Sequence, residues 1–145
     1  MPRAVKDTAH QPAALWRRLA AGFYDLFPLL AIWFGIGFAA VGVRGLHAVP
    51  PTTWWFDTLL LIAAFLYFAL SWRRGGQTLG MRAWKIRVLT GDGRPMTWPT
   101  ATLRFAVALL SVGVALIGVL WMLVDPQRRM WHDMASRTRM VDDRR

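Results

Sequence analysis

Trp16 to Asp25 reads W-R-R-L-A-A-G-F-Y-D and runs directly into an apolar stretch that begins at Leu26. An aspartate at the mouth of such a stretch needs an explanation. In a helix starting near Arg17, Arg18 and Asp25 are seven residues apart, so they share a face and stand about 10 Å apart along the axis. Long helical side chains lean back toward the N-terminus, which carries Arg18 away from Asp25 and toward water. Each is therefore expected to find its own partner elsewhere in the chain.

The surrounding charge pattern says where that helix lies. The chain has 145 residues, is 55% hydrophobic with 9 Trp, and still carries a formal net charge of +10. Its charges are segregated: Leu26 to Val43 is 18 residues without one, Thr58 to Trp72 is 15, and Phe105 to Val124 is 20. The first and third can cross about 30 Å of hydrocarbon as helices, and the second can if Trp54 to Asp57 is added. Asp57 then sits at an interface, within a turn of the belt tryptophans Trp54 and Trp55. The expectation is an all-α membrane protein, a small helical bundle of three apolar segments. A pI near 11.7 would otherwise suggest nucleic acid, but Lys and Arg lie at segment ends, as the positive-inside rule requires, so no nucleic-acid partner is expected. The bilayer and its anionic lipids are the expected partners. With no cysteine, disulfides and thiolate metal sites are excluded.

In chain order, residues 1–12 read as a polar N-terminal tail, 13–141 as the membrane domain and 142–145 as a C-terminal tail. The first apolar run is too long for a signal-peptide core and is read as a retained span. Pro28 removes a backbone donor one turn after Tyr24 and is expected to loosen the helix beside Asp25. Arg44 to Thr53, with two prolines and one full charge, suits the outer side. Arg73 to Thr100 carries six basic residues against Asp92 and is assigned to the cytoplasm, as is the N-terminus, in the inner membrane. Within it Leu79 to Trp84 reads as a short interfacial helix with Leu79, Met81 and Trp84 against lipid, capped by Gln77 and Thr78. Ile86, Val88 and Thr90 alternate with Arg87 and Leu89 ahead of Gly91-Asp92-Gly93, the signature of a short cytoplasmic β-hairpin.

The third segment poses a topological problem. Two spans bring the chain back inside, and a third would export a tail holding Arg128, Arg129, Arg137, Arg139, Arg144 and Arg145. Either Leu103 to Val124 is one span against the charge rule, or it re-enters, bending near Gly113. A cytoplasmic tail would let Thr138 to Val141 add a strand to the hairpin.

Three elements taken together, Arg18 and Asp25 in the first helix, G-Q-T-L-G-M-R at Gly76 to Arg82, and R-R-M-W-H-D-M-A-S-R-T at Arg128 to Thr138, resemble the RDD family of small bacterial membrane proteins. That family is named for one arginine and two aspartates. The resemblance matches Arg18 to the arginine, Asp25 to the first aspartate, and Asp133 of His132-Asp133 to the second. It departs at Ser136-Arg137, where the family often has a glycine before the threonine, and at Met81, where a basic residue is usual. It implies a multi-pass membrane protein for which transport of ligands or ions has been suggested.

A carboxylate at a helix centre costs about 2.5 to 3.5 kcal/mol on insertion scales, so Asp25 needs a shallow position or a partner. Arg104, at the start of the third segment, is the expected partner, and Arg18 is expected to meet Asp133. No enzyme is expected: Ser71, Ser111 and Ser136 lack a His-Asp pattern, Gly75, Gly76 and Gly80 lack the G-K-[ST] of a phosphate loop, and His132-Asp133 alone falls short of a metal site. No cofactor is implied. Two functions remain. One is transport of a small solute, cation or proton, with Asp25 as binding group and a homo-oligomer to enclose a pathway. The other is a non-catalytic scaffold or accessory subunit, whose basic face binds anionic lipid or a partner protein.

Overall fold

The structure is a computed structural model that describes residues 11–51, 53–91, 96–114, 120–127 and 129–143. Most of the N-terminal tail, the Asp92-Gly93 turn and the end of the C-terminal tail fall outside these ranges. The fold is mostly helical, with two candidate membrane-spanning helices and one small sheet.

Helix α1, Leu15–Val43, has 29 residues, about 43 Å at 1.5 Å per residue. It continues through Pro28 as one element. Its buried positions are Arg17, Arg18, Ala21, Asp25 and Leu29, so one stripe near its N-terminus is covered while Phe34 and Phe38 further along are exposed. Helix α2, Trp54–Gly75, has Asp57 in its first turn and Arg73 and Arg74 in its last, each sign opposite the helix dipole it meets. It ends at Gly76, whose φ of +65° is left-handed and whose N–H reaches the carbonyl of Trp72 at 3.0 Å. A Cβ there would come within 2.6 Å of the Val88 carbonyl oxygen, so glycine is required both by conformation and by space. The two helices touch where Trp33 Nε1 donates to the carbonyl of Leu60 at 3.0 Å.

Helix α3, Leu79–Ala83, is capped by Thr78, whose Oγ1 accepts from the Met81 N–H at 3.2 Å. Gln77 does not cap it: Nε2 donates instead to the Ile86 carbonyl at 2.9 Å and to Asp143 Oδ2 at 3.1 Å. Nor does the helix turn all three expected residues to lipid. Leu79 is exposed, but Met81 is buried in the core, and the Trp84 ring packs edge-on against Trp16 at 5.3 Å and Tyr24 at 5.8 Å. Gly80 lies directly on α1, where a Cβ would overlap the Ala21 carbonyl oxygen.

Strand β1, Ile86–Thr90, does not form the hairpin expected from Gly91-Asp92-Gly93. Its antiparallel partner is β2, Thr138–Asp142, with Val88 opposite Met140. Where the second hairpin strand was expected, Met96 is buried in the core and Trp98 opens a helix. The strand expected from Thr138 to Val141 thus takes the place of the hairpin's own return strand, and it runs on to Asp142. On its other side β2 bridges Pro12 through Val141, with Ala13 N–H to Met140 O at 3.1 Å and Asp142 N–H to Gln11 O at 2.9 Å. The start of α1, the end of α2, β1 and β2 therefore meet at one end of the molecule.

Helix α4, Trp98–Gly113, begins with Pro99 in its first turn, where a missing N–H costs nothing, and stops at Gly113. A single 3₁₀ turn, Trp121–Leu123, follows the segment 115–119, which lies outside the described residues. Helix α5, Trp131–Ala135, then leads into β2. Two units match in form, α3 to β1 and α5 to β2: a five-residue helix, two turn residues and a five-residue strand. The second turn residue is basic and left-handed in each, Lys85 and Arg137 both at φ +51°. The core lies under this end, built from Ala21, Ala69, Trp72, Met81, Ile86, Val88, Ala101 and Met140 with Phe65, Phe68 and Phe105 against it.

A buried arginine and aspartate cluster as candidate functional site

Asp133 occupies the third position of α5 and is fully buried. Its Oδ2 accepts from Arg18 Nη1 at 2.9 Å and from the Met130 N–H at 3.3 Å, and its Oδ1 accepts from Arg104 Nη1 at 2.5 Å. Arg18 also donates to two carbonyls, Nε to Ala13 at 3.0 Å and Nη2 to Met140 at 2.9 Å. Arg104 donates to Thr138 Oγ1 at 2.6 Å, and its guanidinium stands 5.1 Å from the Trp72 ring centroid, within cation–π range. One carboxylate thus holds two buried guanidiniums, and the cluster carries a net positive charge. Burial alone would raise the Asp133 carboxyl, but Arg104 and Arg18 outweigh it and hold it below the usual carboxylate range.

His132 lies beside this carboxylate, Nε2 to Asp133 Oδ1 at 3.7 Å. Burial first, then the positive charge of Arg104, pushes its pKa down to about 4 against the attraction of Asp133. It is neutral at pH 7, so the 3.7 Å approach is a contact rather than an ion pair. Its Nδ1 has no hydrogen-bond partner among the described residues. Ser136, one turn on, donates to the His132 carbonyl at 2.6 Å and lies 2.7 Å from Thr138 Oγ1.

Asp25 forms a separate centre. It is 3% exposed and accepts from three neutral donors: Tyr67 hydroxyl at 2.7 Å and Gly80 N–H at 2.8 Å on Oδ1, and Thr78 Oγ1 at 2.5 Å on Oδ2. Arg104, its expected partner, is not there: it has turned to Asp133. Helix direction explains why Arg18 and Asp25 never meet, and the close seat of Gly80 explains what Asp25 receives instead. A larger residue at 80 would keep α3 off α1 and withdraw the N–H.

Two participants went unread in the sequence. Arg17 donates to Asp142 Oδ2 at 2.5 Å, to the Lys85 carbonyl at 3.3 Å and to the Trp84 carbonyl. Its neighbour Arg18 faces about 100° away around the helix, and one available signal was that two successive arginines then need two sets of partners. Tyr67 lies within an apolar span, where a hydroxyl needs a partner, and it finds Asp25. Among the described residues no three His, Asp or Glu side chains gather closely enough to hold a metal ion.

A model of the RDD family matches residues 12–137. The chain belongs to the RDD family. No curated protein and no solved structure matches it. The family match contains Arg18, Asp25 and Asp133 and ends at Arg137, one residue before β2. In this RDD protein the strand just past the match completes the surroundings of the arginine, through the Met140 carbonyl on Arg18 and Asp142 on Arg17.

Proposed function

We propose that this RDD protein is a non-catalytic membrane scaffold or accessory subunit, multi-pass in the inner membrane. Its N-terminus and C-terminal strand both lie in the cytoplasm, and its basic cytoplasmic end binds anionic lipid or a partner. The supporting observation is the distribution of buried polar groups. Arg17, Arg18, Asp25, Thr78, Arg104, His132, Asp133, Ser136 and Thr138 all belong to the end where the sheet sits, and their contacts tie α1, α3, α4, α5 and β2 together. Further along the helices Ser111 is the one buried polar side chain among the described residues. A translocation pathway would need polar groups along the span; a clamp needs them at one end. The pairing of β2 with β1 and with Pro12 supports a tail on the same side as the N-terminus. The third apolar segment is then re-entrant, a reading supported by the end of α4 at Gly113 and by the ion pair that brings Arg104 and Asp133 together on either side of the segment.

One observation favours the second reading, transport: among the described residues Asp25 is a buried carboxylate with no cation among its partners, an oxygen-rich place for a small cation. It would act in a homo-oligomer, because α1 and α2 expose most of their apolar surface. Reconstitution into liposomes separates the readings. The scaffold reading expects no flux under proton, sodium or potassium gradients, identical for wild type and Asp25→Asn. A flux in the wild type that vanishes in a folded Asp25→Asn protein would establish transport in its place.

A further inference from the structure

A cavity of 550 Å³ opens beside β2, bounded by α5, Gln127, Arg129 and Pro12. That volume lies in the range of small-ligand pockets. Among the described residues its wall carries Arg18, Arg129, Arg137 and Arg139 against one carboxylate, Asp133. Two of these cations are committed. Arg18 holds Asp133, and Arg129 holds Asp125 through its backbone N–H at 2.8 Å and Nε at 3.1 Å. Arg137 and Arg139 are exposed and have no ion pair among the described residues. Behind the wall Arg104 shares the carboxylate of Arg18, so the described residues leave the positive charge facing the cavity uncancelled. The chain's own first ten residues are a poor source of an anion, with Arg3 and Lys6 against Asp7.

We propose that this cavity binds a phosphate-bearing anion, with Arg137 and Arg139 as the ligating guanidiniums. Two forked donors suit the tetrahedral oxygens of a phosphate better than point charges would. The site names a ligand for the basic end and so rests on the membrane reading above. That reading also puts the cavity at headgroup depth, just past the exposed apolar residues Leu123 and Val124. The phosphate can therefore come from an anionic lipid or from a soluble compound.

The test uses the purified full chain in detergent. Phosphatidylglycerol binding is followed by native mass spectrometry and inorganic pyrophosphate binding by calorimetry. Wild type is compared with Arg137→Gln/Arg139→Gln, and with Arg74→Gln/Arg82→Gln as a control that removes two exposed cations elsewhere. The expected result is one bound anion per chain, weakened about tenfold or more in the first variant and unchanged in the control. Retention of the lipid alone assigns the site to a headgroup; pyrophosphate binding that displaces the lipid assigns it to a soluble phosphate. Equal weakening in both variants, or no stoichiometric binding of either anion, overturns the proposal. A cysteine added at each end of this cysteine-free chain keeps the two inferences apart. Labelling from opposite faces of a vesicle would sink the membrane reading, whereas labelling from one face together with unaltered binding by the first variant would sink only the cavity assignment.

Discussion

Replacing Asp133 with asparagine tests the cluster most directly. The new side chain has nearly the same shape and keeps one acceptor oxygen, but it removes the only carboxylate that faces Arg18 and Arg104 among the described residues. Its NH₂ must also point at one guanidinium, donor against donor. Arg18 keeps the Ala13 and Met140 carbonyls; Arg104 keeps Thr138 and the Trp72 ring. Removing one partner of a buried ion pair costs about 3 to 5 kcal/mol because the other charge is stranded, and here two are. In a chain of this size 1 kcal/mol moves the unfolding midpoint by about 3 to 5 °C, so the midpoint in detergent should fall by about 10 to 20 °C. Intrinsic fluorescence of the tryptophans reports it, with Arg74→Gln as the exposed-charge control. Adding Arg104→Gln to the asparagine variant should recover part of the loss, since it removes one stranded cation. A drop of less than about 4 °C for Asp133→Asn, or strict additivity of the two changes, would refute the account of a charge-compensated clamp.

His132, held near pKa 4 when folded against about 6.5 when unfolded, takes up a proton more readily in the unfolded chain. Stability is therefore full above about pH 6.5 and falls on acidification toward 4, by about 1.4 kcal/mol per pH unit in that window. Unfolding midpoints between pH 7.5 and 4.5 should drop in the wild type and stay flatter in His132→Asn; parallel curves would contradict the burial of a neutral imidazole. Gly80→Ala forces α3 off the Ala21 carbonyl and takes the N–H from Asp25, an overpacking and a lost charge-assisted bond that together cost about 3 kcal/mol or more. Gly35→Ala, with nothing within 4 Å of the added carbon, should instead be neutral or stabilise by up to about 1 kcal/mol; equal midpoints for the two variants would count against the close seat of α3. Asp25→Asn keeps an oxygen for Tyr67 and Gly80 and strands no cation, so it should cost about 1 to 2 kcal/mol, clearly less than Asp133→Asn, in the same melts.

What could be read from the sequence was whatever local chemistry decides. Seven-residue spacing put Arg18 and Asp25 on one face, and Thr78 caps α3. Partner choice was not local. Arg104 was paired with Asp25 because both stand at the start of an apolar segment, and only the return of α5 against α4 turns it to Asp133. The hairpin failed for a reason that was visible: its second strand would have contained Pro95, which offers no N–H to a ladder, while Thr97-Trp98-Pro99 carries the start signal of a helix. The turn sequence is a local preference, whereas the pairing of β1 with β2 also buries Val88 against Met140 beneath Arg18.

The two aspartates of the family answer the same difficulty by different means, and the difference limits what each can do. Asp133 is neutralised by charge: protonating or replacing it strands Arg18 and Arg104 together, so its state is locked to the fold. Asp25 is stabilised by hydrogen bonds from Tyr67, Thr78 and Gly80, none of them charged. Replacing Asp25 therefore strands no charged partner among the described residues; the hydroxyls of Tyr67 and Thr78 need only turn. Its donors come from α2 and from the start of α3, so a substitution at Asp25 is felt first where those two elements meet α1, while the Asp133 clamp holds the base of α1 fixed.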